Sequence, residues 1–282
     1  MRLATTFAKN RIEVSSPNGW LSEDELRRAV PAAFAAAPHS SRSDRYAYIP
    51  TAEIIRGYER EGFRPTFATQ ARPRDADRFE TTKHMLRFRR QADIGRSEAS
   101  EIVVINSHGG ESAVQIFGGV FRFICCNGMV CGDTFEEVRV RHSPSLVNEV
   151  IEGAYRVVDG FERVRGTVDT MKAIGLSRPE QLALAHSAAV LRFDLQDGEQ
   201  APVTAESIIR PRRSGDEGND LWTCFNRTQE AVIRGGLHGA TVNADGRRRR
   251  VTTRAVAGID QNITLNRALW ALAERMAELK GA

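Results

Sequence analysis

Residues 104–131 read VINSHGGESAVQIFGGVFRFICCNGMVC, and this stretch predicts the fold of the chain. Its apolar runs are rich in β-branched and aromatic residues, and Gly109–Gly110, Gly118–Gly119 and Asn127–Gly128 separate them. Such pairs between apolar runs are typical of tight turns, because those turns require positive φ angles. The stretch therefore predicts consecutive antiparallel strands joined by short turns.

Further strand-like segments and a helical segment flank this stretch. HMLRFRR (84–90) and FEEVRVRH (135–142) extend the meander on either side. From Ser143 to Gly175, apolar residues recur at intervals of three and four, which predicts one long amphipathic helix. The residues of this stripe are Leu146, Val150, Ala154, Val157, Phe161, Val164, Val168 and Met171.

The remaining segments are predicted to be largely helical. Ser22 and Thr51 can each cap a short helix, and Ser177 with Glu180 forms a capping box. Two more helices are expected at about 219–234 and 260–279. The fold class expected is α+β, with a central antiparallel meander backed by a long amphipathic helix and a helical C-terminal part. The predicted domains are a partly ordered N-terminal segment (1–45), an α+β core domain (46–195) and a C-terminal helical part with a basic loop (196–282).

Composition narrows the possible classes of protein. The chain has 282 residues, of which 41% are hydrophobic and 27% charged, as in ordinary globular proteins. Its apolar runs are too short to span a bilayer, and its N-terminus lacks the apolar core of a secretory signal, so we expect a cytoplasmic protein without membrane contact. The four cysteines (Cys125, Cys126, Cys131 and Cys224) include no C-x-x-C pair, so we interpret them as packing residues and predict no cofactor.

Arginine is concentrated in three segments, although the net charge is only +4. These segments are 72–96, 210–213 (RPRR) and 247–250 (RRRR). The guanidinium group matches phosphate oxygens in a bidentate manner and stacks on bases, which favours an anionic polymer as partner. A solvated surface in an arginine-rich protein explains the composition equally well.

Enzymatic sites are only weakly indicated. His84, His108 and His142, with Asp133, Glu136 and Glu137 nearby in sequence, are candidate ligands of a metal-dependent nuclease. No H-E-x-x-H or H-x-D spacing places two of them on one element, however. The glycine pairs also lack the lysine and helix of a P-loop, which disfavours nucleotide hydrolysis.

A binding surface draws on more residues. Two strands interleave arginine with Phe88, Phe121 and Phe123, and arginine beside aromatic rings is typical of proteins that bind single strands. The phenylalanines can equally belong to the core. Alternation along a strand places Arg87 and Arg89 on one face, with Arg139 and Arg141 as possible neighbours, and this basic sheet face is the predicted binding surface. The predicted nucleic-acid-binding residues are Lys83, Arg87, Arg89, Arg90, Arg122, Arg139, Arg141, Arg247, Arg248, Arg249 and Arg250. Asn106, His108 and Phe88 form a second group of candidates.

The order of these motifs resembles a known family. KHMLRFRR, VINSHGG, FGGVFRFICCNGMV and VRVRH occur in this order in the phage- and plasmid-encoded proteins of the domain of unknown function 932. The resemblance spans about residues 45–280 and implies an origin in a mobile element. Gly110 stands where that family usually has an acidic residue, which weakens a catalytic interpretation of the turn.

The order of elements is also similar to that of the Rad52-like single-strand annealing proteins, in which a strand meander precedes a long helix. This likeness implies an oligomer that binds or anneals single-stranded DNA during recombination, without a catalytic residue. Two alternatives remain open from the sequence: a metal-dependent nuclease and a protein-directed inhibitor of host defence.

Overall fold

The computed structural model of the chain describes residues 6–8, 10–14, 16, 18–43, 46, 48–110, 112–122, 127–130, 138–140, 146–242 and 246–281. The chain forms two compact units, 1–161 and 162–282. The domain limits predicted from the sequence, at residues 45 and 195, stay a prediction.

The first unit contains an antiparallel sheet and helices packed on it. Its elements are β1 (Thr6–Ala8), β2 (Arg11–Glu13), α1 (Glu23–Ala29), α2 (Thr51–Arg60), β3 (Phe63–Gln70), β4 (His84–Arg90), β5 (Glu98–Asn106), β6 (Val114–Arg122), β7 (Asn127–Val130), β8 (Val138–Val140) and α3 (Leu146–Asp159). Among the described residues, eight strands form one sheet in the order β1-β2-β3-β4-β5-β6-β7, and β8 pairs with the same strand, β6, as β7 does. This arrangement confirms the predicted α+β class and meander.

The strand limits differ from the predicted turns at two of the three glycine pairs. Gly110 has φ of +72° in the β5–β6 turn, as expected for that position. Gly118–Gly119, in contrast, lies inside β6 opposite Ile102 and Glu101 of β5. Asn127–Gly128 lies inside β7, where Asn127 pairs with Arg122. The predictions of turns at these two pairs were wrong, because ladder pairing with a neighbouring strand outweighs the local turn preference.

The core of the first unit lies between the sheet and the helices. Leu86 and Phe88 of β4 are buried there together with apolar residues of α1, α2 and α3. The Tyr58 ring of α2 meets the Phe88 ring edge-on at a centroid distance of 4.9 Å, and its hydroxyl donates to the Val150 carbonyl oxygen at 3.3 Å. Leu86 and Phe88 thus fix which face of β4 points toward the helices. Met85, Arg87 and Arg89 lie on the opposite face.

The predicted long helix is interrupted. The apolar stripe is buried as expected from Val150 to Met171, but α3 ends at Asp159 and α4 (Phe161–Ala173) begins after Gly160. Glycine lowers helix stability by about 1 kcal/mol relative to alanine, so a break at this position is inexpensive. The prediction of a single helix was therefore wrong, and the predicted start at Ser143 lies outside the described residues.

Helix capping follows the sequence at two of three positions. Ser22 caps α1 as predicted, with a capping box to Glu25, and Ser177 forms the predicted capping box with Glu180. Thr51 does not cap α2; Pro50 occupies that position and Thr51 is the first helical residue. Its hydroxyl is directed into the sheet instead.

The second unit is mainly helical and carries one β-hairpin. Its elements are α4, α5 (Arg178–Phe193), α6 (Ala205–Ile209), α7 (Leu221–Arg234), β9 (His238–Val242), β10 (Arg248–Thr252) and α8 (Ile259–Leu279). Trp222 and Phe225 of α7 pack against Trp270 of α8, with ring centroids 5.8–6.3 Å apart. Cys224 is buried beside them, as predicted. In the described ranges, no helix is long and apolar enough to cross a membrane.

Candidate nucleic-acid interface

Two of the predicted binding residues, Arg87 and Arg89, are buried in the sheet. Their exposed fractions are 4% and 3%, and both guanidinium groups bind the carboxylate of Glu101 on the neighbouring strand β5. Arg89 Nε lies 2.7 Å from Glu101 Oε1, and Arg87 Nη1 lies 3.2 Å from Glu101 Oε2. Thr66 adds a hydroxyl 3.4 Å from Oε1. The two arginines share a face as predicted, but this face is not an open basic surface.

Aromatic rings complete the surroundings of this buried cluster. The Arg89 guanidinium lies over the Phe121 ring at 3.5 Å from its centroid, and that of Arg87 lies 5.8 Å from the Phe67 centroid. A guanidinium group is weakly hydrated and stacks on aromatic faces, so it tolerates burial better than an ammonium group. Gly119, the residue opposite Glu101, adds no side chain to this crowded place. The cluster therefore joins β4, β5 and β6 by charge and ring contacts.

The other predicted residues of the sheet have varied surroundings. Arg122 is 6% exposed and lies 3.9 Å from Glu98, whereas Arg90 and Arg139 are exposed and Lys83 is half-buried. Phe88 belongs to the core. Arg141 lies outside the described residues, as do Phe123, Cys125, Cys126 and Cys131. Binding of nucleic acid by the buried arginines stays a prediction, and it would require this face of the sheet to be uncovered.

Another buried cluster contains Asn106 and His108, which are the two polar residues in the second group of candidates. Thr51 Oγ1 lies 2.8 Å from His84 Nε2, 3.1 Å from His108 Nε2 and 2.8 Å from Asn106 Nδ2. All four side chains are fully buried. Asn106 also accepts from the Ser107 backbone N–H at 2.7 Å, so this cluster ties the β5–β6 turn to the start of α2.

The hydrogen bonds of His84 define its protonation state. Its Nδ1 lies 2.9 Å from the Thr82 carbonyl oxygen, which can only accept, so Nδ1 carries a proton. Nε2 then accepts from the Thr51 hydroxyl in the neutral ring. Burial disfavours the charged form and lowers the pKa of His84 from its ordinary 6.5 to about 4. His84 is therefore a neutral structural residue at physiological pH.

The metal-site hypothesis gains little from this cluster. The ring centroids of His84 and His108 are 5.1 Å apart. Both nitrogens of the His84 ring are hydrogen-bonded, to Thr51 and to Thr82, so neither is available to a metal ion. In the part of the chain that the structure describes, no three His, Cys, Asp or Glu side chains are grouped as a metal ion requires. His142, Asp133, Glu136 and Glu137 lie outside that part.

The arginines of segment 247–250 are placed on an exposed hairpin. β9 and β10 pair in antiparallel register, with Arg250 opposite Ala240 and Thr252 opposite His238. All four arginines are exposed to solvent. We call β9 and β10, together with Arg247 directly before β10, the basic hairpin. Its tip, 243–245, lies outside the described residues.

The base of the basic hairpin is held by backbone hydrogen bonds and by the side chain of Arg192. Gly236 N–H donates to the Thr253 carbonyl oxygen at 2.8 Å, and the reverse bond from Thr253 to Leu237 measures 2.9 Å. Arg192 donates to the carbonyl oxygens of Val232 and Arg254, each at 2.9 Å. The base is thus fixed on the helical body of the second unit, while the strands project with their arginines.

The basic hairpin lines a concavity of about 840 Å³. Residues that face each other across an antiparallel pair share a face, which places Arg248, Arg250, Thr252 and His238 together. These four residues and Ala240 line the concavity from one face, which we call the concave face, and Gly239 and Val251 of the other face also line it. His238 Nδ1 lies 3.1 Å from Thr252 Oγ1.

Several residues of these clusters were not identified from the sequence. Glu101 is the partner of both buried arginines, and its only signal is that a charged residue opens the β-branched run EIVVIN. Thr51 and His238 carry no pattern of their own, because their partners are 55 residues (Asn106) and 14 residues (Thr252) away along the chain. Such pairings depend on strand register, which local patterns do not encode.

Comparisons with known proteins agree with the motif order. The family described as "Domain of unknown function (DUF932)" matches residues 38–270. The UPF0380 protein YfjQ of Escherichia coli (strain K12) is 49% identical over 276 residues, which are 98% of this chain and 97% of that protein. The UPF0380 protein YafZ of the same organism is 48% identical over 276 residues, with the same shares. No solved structure matches the chain.

Proposed function

Because the chain belongs to the DUF932 family, whose name states no activity, we propose a function from its own residues: it binds single-stranded DNA through the basic hairpin. The single observation that carries this proposal is the run of four exposed arginines, 247–250, held on a ribbon with a fixed base. Binding of this kind needs no catalytic residue and no cofactor.

Electrostatics supports a phosphate backbone as the partner. Like charges repel, so four neighbouring arginines on a projecting ribbon raise the local positive potential and attract a polyanion. Each phosphate neutralised releases counterions, and each contact to a single strand adds about −0.7 to the slope of log K against log salt. Because arginine binds phosphate with fixed geometry, the arginines that contact phosphates also restrict where the strand can lie.

Single-stranded DNA fits the hairpin better than duplex DNA. A flexible strand can follow a curved ribbon, and its unstacked bases can pack on the planes of guanidinium groups and of the His238 ring. The analogy to Rad52-like proteins, which suggested strand annealing and a homo-oligomer, rests on element order alone. Annealing, self-association and a role in recombination are therefore later steps of the same proposal.

Fluorescence anisotropy tests the proposal. We would titrate the protein against a labelled single strand and its matched duplex across a salt series, with and without chelator. A variant with all four hairpin arginines changed to alanine is compared with a control that loses the same charge in the first unit. The control residues, all exposed, are Arg60, Arg72, Arg74 and Arg96.

We expect salt-steep binding that prefers the single strand, is insensitive to chelator and is lost in the hairpin variant but largely retained in the control. Absence of binding by the natural chain at low salt, or equal binding by the hairpin variant, would contradict the proposal. Equal loss in both variants would indicate a response to net charge alone.

A further inference from the structure

The two faces of the basic hairpin differ in what lies against them. Gly239, on the face opposite His238, sits against residue 202 of the same unit: a Cβ atom at Gly239 would lie 1.8 Å from the Pro202 carbonyl oxygen. The neighbouring Ala240 N–H donates to that same oxygen at 2.8 Å. At Gly239 this second face is thus covered by the unit's own chain.

The concave face carries two of the four exposed arginines, Arg248 and Arg250, together with the exposed His238 and Thr252. Arg248 and Arg250 alternate along β10 with one residue between them, so their attachment points are about 7 Å apart on one side. His238 lies across from Thr252, and the contact between them orients the imidazole ring at the inner end of the concavity. The concavity is open to solvent, and its volume of about 840 Å³ lies within the size range of small-ligand sites.

We propose that a single strand binds along the concave face alone, with Arg248 and Arg250 on two neighbouring phosphates and the His238 ring stacked on a base. This inference rests on the proposed function and assigns its site. Arg247 and Arg249 do not line the concavity and contribute only to the positive electrostatic potential around the hairpin. A short single strand therefore fills the site.

The concavity also gives a reason for discrimination against duplex DNA. Bases in a duplex are stacked and paired, so none can pack on His238 without being flipped out, which breaks its stacking and pairing. A rigid double helix also cannot bend into a concave ribbon without deformation. A single strand requires neither base flipping nor bending of a double helix. Strand preference thus originates in His238 and in the shape of the face, whereas affinity originates in the arginine pair.

Two double variants with equal charge change separate this inference from the proposed function. Arg248→Ala/Arg250→Ala removes the pair on the concave face, and Arg247→Ala/Arg249→Ala removes the other pair. For a labelled oligothymidine, we expect the first variant to bind at least about tenfold more weakly, because two charge-assisted contacts are lost. The second variant should stay within about threefold of the natural chain, as expected for loss of an exposed charge without a direct contact.

Two replacements of His238 test the stacking contact. His238→Phe and His238→Ala both remove the hydrogen-bonding contact to Thr252, but only the former keeps an aromatic ring. We expect His238→Phe to retain the preference for single strand over duplex and His238→Ala to lose most of it. Equal preference in both variants would overturn the stacking role.

The outcomes distinguish the two levels of the proposal. Equal weakening by both arginine pairs would overturn the concave-face inference and leave binding by the basic hairpin intact. If the natural chain binds DNA but neither double variant binds it more weakly, both the concave-face inference and the proposed function are contradicted. All replaced side chains are exposed, and a thermal melting curve for each variant verifies that the fold is retained.

Discussion

The pH response of the protein should depend on one buried side chain, His84. Its neutral ring donates to Thr82 and accepts from Thr51, and burial lowers its pKa from 6.5 to about 4. Below pH 6.5 the unfolded chain binds a proton on this histidine, whereas the folded chain does not until the pH reaches about 4. Acid therefore favours the unfolded state in this window.

The size of the effect follows from the two pKa values. Between about pH 7.5 and about pH 5, the difference in proton binding lowers the free energy of unfolding by about 2 kcal/mol. At still lower pH the loss from His84 approaches about 3 kcal/mol and then stays constant. Above pH 6.5 both states are neutral at this site, so His84 contributes no pH dependence there.

Urea unfolding of the natural chain and of His84→Gln at both pH values measures this contribution. Glutamine keeps a polar group near Thr51 but does not titrate, so we expect the variant to lose about 2 kcal/mol less than the natural chain on acidification. His186→Gln, which removes an exposed histidine of the second unit, is the matched control and should follow the natural chain. Parallel losses in His84→Gln and the natural chain would refute the reasoning, because the acid response would then come from other groups.

Two further predictions concern the buried ion cluster and the placement of the hairpin. Glu101→Gln keeps the side-chain shape but leaves two buried guanidinium groups without their counter-charge, so it should lower the free energy of unfolding by about 3–5 kcal/mol in urea titrations. A loss below about 1 kcal/mol would show that the arginines find other partners. Gly239→Ala places a methyl group on the Pro202 carbonyl oxygen, which must displace β9. We expect the Ala240 amide to lose its protection from hydrogen exchange, and unchanged protection would contradict the close approach.

The sequence predicts elements better than it predicts their partners. The stripe from Val150 to Met171 and the strands around Ile102 are set by local periodicity, and both were confirmed. The helix break at Gly160 was missed because the apolar stripe continues across it without a change of phase. Local pattern therefore reports which face of an element is buried but not where the element stops.

The candidate site could be predicted only in part from the sequence, because strand pairing brings together residues that are distant along the chain. Alternation in β4 correctly placed Arg87 and Arg89 on one side, and the usual preference of arginine for water suggested that this side was open. Glu101, which makes their burial tolerable, lies 12 residues beyond Arg89 and becomes its neighbour only through strand pairing. The arginines at 247–250, in contrast, could be assigned to the surface from local sequence, since four adjacent charges cannot all be compensated inside a fold.

The closed base of the basic hairpin has a consequence for how this surface can be exchanged. Because Gly236 and Thr253 are joined by a hydrogen bond of 2.8 Å, the two ends of the hairpin leave the helical body side by side. Residues 237–252 can therefore be excised and the ends joined by a short linker, or the ribbon can be transplanted onto another scaffold with closely spaced attachment points. The segment is therefore a separable unit, whose sequence, and with it the ligand, can be changed without rebuilding the helices that carry it.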